Sequence, residues 1–186
     1  MRIIAGTARS LPLKTIDGID TRPTTDRIKE TLFNMLQNEV PSANFLDLFA
    51  GSGQIGLEAI SRGAKRAVFV EMDRNAIEVI KKNIKTCNFA DEAEVYQDDV
   101  FARIKWFQKT GQKFDIIYLD PPFTVESIFV PVMEALDEAD ILAQDGCIAI
   151  RSLKEKEMPE EFKNLYKYKK KVYGISAIHF YRAYED

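Results

Sequence analysis

Asp120-Pro121-Pro122-Phe123 is the stretch of this chain whose residue types and order point most directly to chemistry. It closes FDIIYLDPPF, Phe114 to Phe123, which reads as a buried strand that stops abruptly. Proline fixes its own φ, restricts the residue before it and cannot continue a sheet ladder. The Asp120 carboxylate and the carbonyls beside it therefore point outward from a rigid turn. A carboxylate, backbone carbonyls and an aromatic ring held this way make a grip for a planar group bearing N–H donors. Asp-Pro-Pro alone would also serve as a plain strand stop, and a second motif upstream weighs against that.

The second motif is Asp47-Leu48-Phe49-Ala50-Gly51-Ser52-Gly53-Gln54-Ile55-Gly56, at the end of an apolar run and just before a helical pattern. It fits a strand, a glycine turn and a helix. Glycines there let the backbone approach a ligand closely and leave N–H groups free at a helix N-terminus. Gly51-x-Gly53-x-x-Gly56 has the spacing of the dinucleotide fingerprint. The next strand, Arg66 to Glu71, ends in an acid about twenty residues on, where a carboxylate can accept both hydroxyls of a ribose. Together they mark a nucleoside site without saying which nucleoside.

Strands alternate with amphipathic helices from about residue 26 to about residue 151, the pattern of a parallel sheet wrapped on both faces. The expected order is a helix over Asp26 to Asn38, capped by Thr24, Thr25 or Asp26, and a strand over Asn44 to Phe49. Then come a helix over Gln54 to Arg62, a strand over Arg66 to Glu71, and a helix over Arg74 to Cys87. A strand over Glu94 to Gln97 runs into Asp98-Asp99. It is followed by a helix around Phe101 to Lys109, the Phe114 to Asp120 strand, a helix over Val125 to Ala139 and a strand over Cys147 to Arg151. Lys169 to Tyr173 and Ala177 to Tyr184 then alternate about the turn Gly174-Ile175-Ser176, an antiparallel hairpin at the sheet edge. Before the first helix, Arg2 to Ile4 suggests a small strand and Thr21 to Thr24 a Pro-containing turn. Ligands of open α/β sheets sit outside the carboxyl ends of the strands, and every candidate falls there. A nicotinamide enzyme would use the first two strand ends and leave the last two idle.

At 186 residues the chain suits one well-packed domain, 1–186, with residues 1–25 as an N-terminal extension. Hydrophobic residues at 46% and charged ones at 30% argue against extensive disorder. The net charge of −3 gives no global positive field, so a polyanion must be met locally. Two basic stretches could do so: Arg2, Arg9, Lys14, Arg22, Arg27 and Lys29, or Lys163, Lys167 and Lys169 to Lys171. One histidine, His179, and two cysteines in apolar surroundings cannot build a zinc or iron site, so no metal is expected. No stretch reaches the length of a membrane span or a signal-peptide core, which makes a cytoplasmic protein the expectation.

Asp47-Leu-Phe-Ala-Gly-Ser-Gly resembles the first motif of class I S-adenosylmethionine-dependent methyltransferases, and Asp120-Pro-Pro-Phe resembles the (Asp/Asn/Ser)-Pro-Pro-(Tyr/Phe) motif of those that methylate exocyclic amines. Thr21-Arg-Pro-Thr-Thr-Asp-Arg, Thr31-Leu-Phe-Asn, Leu57-Glu-Ala, Ser61-Arg-Gly and Arg2-Ile-Ile-Ala-Gly with Arg9 are similar to the bacterial small-subunit ribosomal RNA guanine-N2 methyltransferases. The resemblance covers the whole chain. It implies a Rossmann-like fold, a mostly parallel seven-stranded sheet ending in the hairpin, and S-adenosylmethionine as cofactor. Asp47, Phe49, Ala50, Gly51, Ser52, Gly53, Glu71, Met72, Asp99 and Val100 would bind it. Either Asp98 or Asp99 meets the adenine amine, with register favouring Asp99. Asp120, Pro121, Pro122 and Phe123 would act on a guanine of small-subunit ribosomal RNA, free or in an assembling subunit. Arg9, Arg22, Thr24, Thr25, Arg27, Lys169, Lys170 and Lys171 are the candidate RNA contacts of a monomeric enzyme. Where that family usually has Glu at the end of strand 5, this chain has Arg151, a departure that argues against a part for strand 5 in the site. Two other readings are an amine methyltransferase acting on DNA adenine or another RNA, and a catalytically silent RNA-binding assembly factor.

Overall fold

The structure is a computed structural model and describes residues 1–16 and 24–185, with side chains from Asp26 in the second stretch. In chain order the elements are α1 (Thr24–Met35), β1 (Asn44–Leu48), α2 (Gln54–Ser61), β2 (Arg66–Glu71), α3 (Arg74–Cys87), β3 (Ala93–Gln97) and α4 (Val100–Lys109). They continue with β4 (Phe114–Leu119), a 3₁₀ turn (Glu126–Ile128), α5 (Phe129–Ala139), β5 (Leu142–Leu153), β6 (Leu165–Tyr173) and β7 (Ser176–Ala183). The seven strands form one sheet in the order β3-β2-β1-β4-β5-β7-β6. The five from β3 to β5 pair in parallel, and β7 alone runs against the rest, antiparallel between β5 and β6. The order reverses between β1 and β4, the position at which an open sheet of this class leaves a crevice.

Strand alternation divides the core in two. Phe45, Phe69, Ile116 and Tyr118 face α1, α2 and α3, while Leu46, Val68, Ile117 and Ile148 face α4 and α5. Both layers are built from apolar side chains, as the near-continuous apolar runs of β1, β2 and β4 require of a sheet covered on both faces.

Some boundaries differ from the sequence expectation. The 125–139 helix begins at Phe129 behind the 3₁₀ turn, which puts Pro131 in the first turn, where its missing N–H has no partner to lose. β5 starts at Leu142, earlier than expected, because a register shift and the left-handed Asp145 (φ 63°) interrupt its alternation. In place of a small strand at Arg2 to Ile4 there is a single bridge, Arg2 to Pro12. Residues 1–16 nevertheless pack as a strap that buries Ile3, Ala8 and Leu13 against the helices, and so belong to the core. Gly6 is pinched there: a Cβ would lie 1.8 Å from the Ser61 carbonyl oxygen. The expected turn at Thr21 to Thr24, Arg22 and the capping side chains of Thr24 and Thr25 lie outside the described residues.

Candidate active site

Parallel register assembles the site. Leu48 pairs with Val70 and with Leu119, and Leu119 pairs with Ile150, so the residues that follow these strands line one edge. The glycine turn stands there under tension. Phe49 adopts φ 58° although it is not glycine, a conformation that costs on the order of 1–3 kcal/mol and recurs at functional sites. Gly51 (φ 58°) and Gly53 (φ 81°) follow in the same left-handed region. A Cβ on Gly51 would meet nothing within 4 Å, so its open side faces the crevice, whereas one on Gly56 would strike the Phe69 ring at 2.3 Å. The third glycine therefore serves helix–sheet packing.

The three glycine N–H groups of this turn are already used. Gly51 N donates to Glu71 Oε1 at 2.9 Å, Gly53 N to the Ala50 carbonyl at 2.8 Å, and Gly56 N to Asp47 Oδ2 at 3.0 Å. A pyrophosphate would find its glycine donors occupied and carboxylates at four neighbouring strand ends. With its glycine donors taken by acids, this edge suits a nucleoside whose charge is positive better than it suits a pyrophosphate.

Each acid at the edge has a distinct place. Asp47 is fully buried beneath the turn. Burial pushes its carboxyl well above the ordinary range, the Gly56 N–H opposes that rise, and the charges of Asp120 and Glu71 add to it. Glu71 is half-buried and accepts from Gly51 N through one oxygen and from Asp73 N, at 2.8 Å, through the other. Those two bonds fix the carboxylate plane while each oxygen keeps a second lone pair directed outward. Met72, next along, is 66% exposed, a large apolar side chain at the rim. Asp98 is tied to Arg103 at 3.0 Å, and Asp99 caps α4 through Ala102 N while staying exposed, with Val100 buried behind it.

The Asp120 turn closes the edge. Pro121 is buried, Pro122 is exposed, and the Pro122 carbonyl accepts from Val125 N at 3.1 Å. Phe123 is half-buried and, with Phe129, Leu153, Glu126 and Lys156, lines a cavity of about 200 Å³ beside the turn. Below it the Tyr118 hydroxyl is buried with no hydrogen-bond partner among the described residues, which makes the floor of the site a low-dielectric one.

Sequence reasoning missed three residues here. Arg151 of β5 reaches the site after all: its Nη1 lies 3.1 Å from Asp120 Oδ2 and its guanidinium sits 5.3 Å from the Phe123 ring centre. Asn83, buried on α3, donates to the Ser52 carbonyl and to Lys14 O and accepts from Lys14 N, lacing the strap to the glycine turn. Its signal was available, since a polar residue on the Ile77-Ile80-Ile84 stripe needs internal partners. Glu58, buried on α2, organises the strap in the same way.

The basic candidates are not brought together as one patch. Lys29 is completely buried, with its ammonium donating to Arg2 O, and is withdrawn from any surface role. Arg9 sits at the tip of the strap near Ser61, at the end of α2 away from the glycine turn. Arg27 is exposed and lies 4.5 Å over the Tyr173 ring, which places it beside the hairpin carrying the exposed Lys169, Lys170 and Lys171. Among the described residues no group of His, Cys, Asp and Glu is placed to hold a metal ion, and no helix is long and apolar enough to cross a membrane.

A family model described as "Conserved hypothetical protein 95" matches residues 1–182. The chain belongs to this family. YlbH of Bacillus subtilis strain 168 is 37% identical over 182 residues, 98% of each chain. Ribosomal RNA small subunit methyltransferase D of Escherichia coli strain K12 is 36% identical over 185 residues, covering 100% of this chain and 89% of the relative. The solved structure of Escherichia coli yhhF aligns with a TM-score of 0.84 at 35% identity, over 98% of this chain and 97% of that one.

Proposed function

We propose that this chain transfers a methyl group from S-adenosylmethionine to the exocyclic N2 amine of a guanine in small-subunit ribosomal RNA. The observation that carries the reading is the Asp120 to Phe123 turn, set beside a glycine turn whose own donors are satisfied by acids. The full-length relatives named for small-subunit ribosomal RNA methylation support the substrate class. When bound, S-adenosylmethionine supplies an electrophilic sulfonium methyl, and every other requirement falls to the chain. Glu71 would hold the ribose hydroxyls, Met72 and Val100 the faces of the adenine, and Asp99 its amine. The Gly51 side of the turn, open by its missing Cβ, admits the chain of the cofactor.

Guanine's amine is a poor nucleophile because its lone pair is delocalised into the ring. Two acceptors pulling on its two N–H bonds favour a pyramidal nitrogen whose lone pair is localised. Asp120 is one of them. The second is a backbone carbonyl of the same turn, at Pro121 or nearby. Phe123 sets the plane of the base, a stacking contact worth on the order of 1–3 kcal/mol. Orientation and fixed charge then carry most of the acceleration. A stacked, paired guanine offers no room for this embrace, so the substrate is a loop or bulge nucleotide that can swing out. Arg27 and Lys169 to Lys171 supply the phosphate contacts.

The test is methyl transfer from labelled S-adenosylmethionine to small subunits lacking their native modifications, followed by nucleoside analysis. Label is expected as N2-methylguanosine. Label on another amine would discard the guanine assignment, and no label on subunits or free RNA would favour an assembly role without catalysis.

A further inference from the structure

Arg151 stands where the resembled family usually carries an acid, and its surroundings define what it does instead. β5 pairs with β4 so that Leu119 lies against Ile150, which sets Asp120, just past the end of β4, beside Arg151 near the end of β5. From there the guanidinium makes contacts on three sides. Its Nη1 donates to Asp120 Oδ2 at 3.1 Å. Its Nε and Nη2 donate to Ser176 Oγ at 3.3 and 3.2 Å, and its carbon lies 5.3 Å from the centre of the Phe123 ring. The Arg151 side chain is 14% exposed and that of Asp120 33% exposed, so this is a partly desolvated pair at the lip of the crevice. Ser176 is itself buried at the first position of β7, paired with Tyr173 across the hairpin and with Leu153 of β5.

A guanidinium is planar, with its donors in a rigid fork. Holding Nε and Nη2 on one serine oxygen therefore dictates where Nη1 points. That direction sets where Asp120 Oδ2 is held, and the same flat ion backs the ring expected to carry the base. A lysine has one point charge and no fork, so it could hold the charge of Asp120 but not transmit the orientation.

We infer that Arg151 is a positioning residue for methyl transfer: anchored by Ser176, it sets the Asp120 carboxylate and the Phe123 ring in the mutual geometry that the target amine requires. This rests on the assignment of Asp120 and Phe123 to the substrate amine made above. It adds strand β5 and the base of the hairpin to the machinery, and gives Ser176 a part in catalysis through Arg151. A phosphate contact is the competing role for an arginine at this lip, and kinetics separate the two. An interaction that aligns the acceptor for the transition state acts on kcat, whereas a contact kept equally in ground and transition states acts on KM.

The experiment measures kcat and KM for RNA, together with cofactor affinity, in Arg151→Gln, Arg151→Lys, Ser176→Ala and Asp120→Ala. Arg151→Gln is expected to lower kcat on the order of tenfold to a hundredfold, with KM for RNA changed less than about twofold and cofactor affinity unchanged. Arg151→Lys is expected to recover part of the loss, and Ser176→Ala, which leaves the charge and frees the fork, to show a smaller fall in kcat. If Arg151→Gln does not fold, the split in Arg151→Lys and Ser176→Ala decides. Wild-type kcat in the arginine and serine variants, or a rise in KM alone, overturns the positioning role. If Asp120→Ala is fully active, the underlying reading of the site fails. An inactive Asp120→Ala beside a fully active Arg151→Gln removes only the inference about Arg151.

Discussion

Glu58 and Asp120 each face a cation across a short gap, Lys29 at 3.6 Å and Arg151 at 3.1 Å, and the two carboxylates are used in opposite ways. Glu58 is sealed. Its oxygens accept from Ile4 N, Ala5 N and Arg62 Nε as well as facing Lys29, and neither charged side chain of the pair reaches solvent. Burial pushes the Lys29 ammonium below its ordinary range, while Glu58 and Asp26 pull it back. Asp120 pairs with its arginine at the rim, with a third of its side chain in contact with solvent. A carboxylate whose acceptor sites are filled by its own chain can only hold the chain together. One at the rim can take part in recognition. The difference follows from position: Glu58 lies mid-helix under the strap, Asp120 just past a strand end at the switch point.

Breaking the sealed pair should have the largest effect. Glu58→Ala strands a buried ammonium and three donors, and is expected to cost about 3–5 kcal/mol in a urea unfolding experiment. A loss below about 1 kcal/mol would mean the strap is not anchored there. Asp120→Ala should separate the roles in the other direction. Methyl transfer is expected to fall about 10²–10³-fold, while the unfolding free energy changes by less than about 1 kcal/mol, the scale of a solvent-accessible pair. Equal damage to stability and activity in either variant would erase the contrast.

The smallest effect is a pH dependence from another enclosed group, His179. It is fully buried on β7 with Nε2 at 2.9 Å from Ser152 Oγ, and burial, assisted by Lys167 and Lys170, pushes its pKa down to about 4. A histidine held neutral in the fold contributes stability that is complete above its unfolded value and is lost as pH falls through the window down to about 4. From pH 7.5 to 5 the expected loss is about 2 kcal/mol. Asp47, with its carboxyl raised by burial, contributes with the opposite sign, gaining stability as the medium is acidified. The comparison is therefore between wild type and His179→Gln, which should lack this limb, and identical slopes would show that His179 is not enclosed in solution.

What could be read from the sequence was local. The apolar runs of β1, β2 and β4, the stripe of α3 and the hairpin turn each carry their own period, and β2 and α3 fall where that period placed them. The glycine turn and Asp120-Pro121-Pro122-Phe123 were legible because a strand end needs residues of just those conformational habits. Glu58, Asn83 and Arg151 were not, because the meaning of each depends on a partner brought close by register. Asn83 meets Lys14 across 69 positions and Arg151 meets Asp120 across 31, and no short-range pattern announces either meeting. The glycine donors misled for the same reason: they are consumed by Glu71 and Asp47, whose reach back to the turn depends on tertiary structure.

The strap also gives this fold a sequence of events in time. Residues at the start of the chain take their anchors from Ser61, 53 positions on, and from Asn83, 69 positions on. Contacts of such long sequence separation close only once α2 and α3 have formed. The brace on the Ser52 carbonyl comes from the same Asn83 side chain that holds Lys14, so the glycine turn and the strap are expected to settle together.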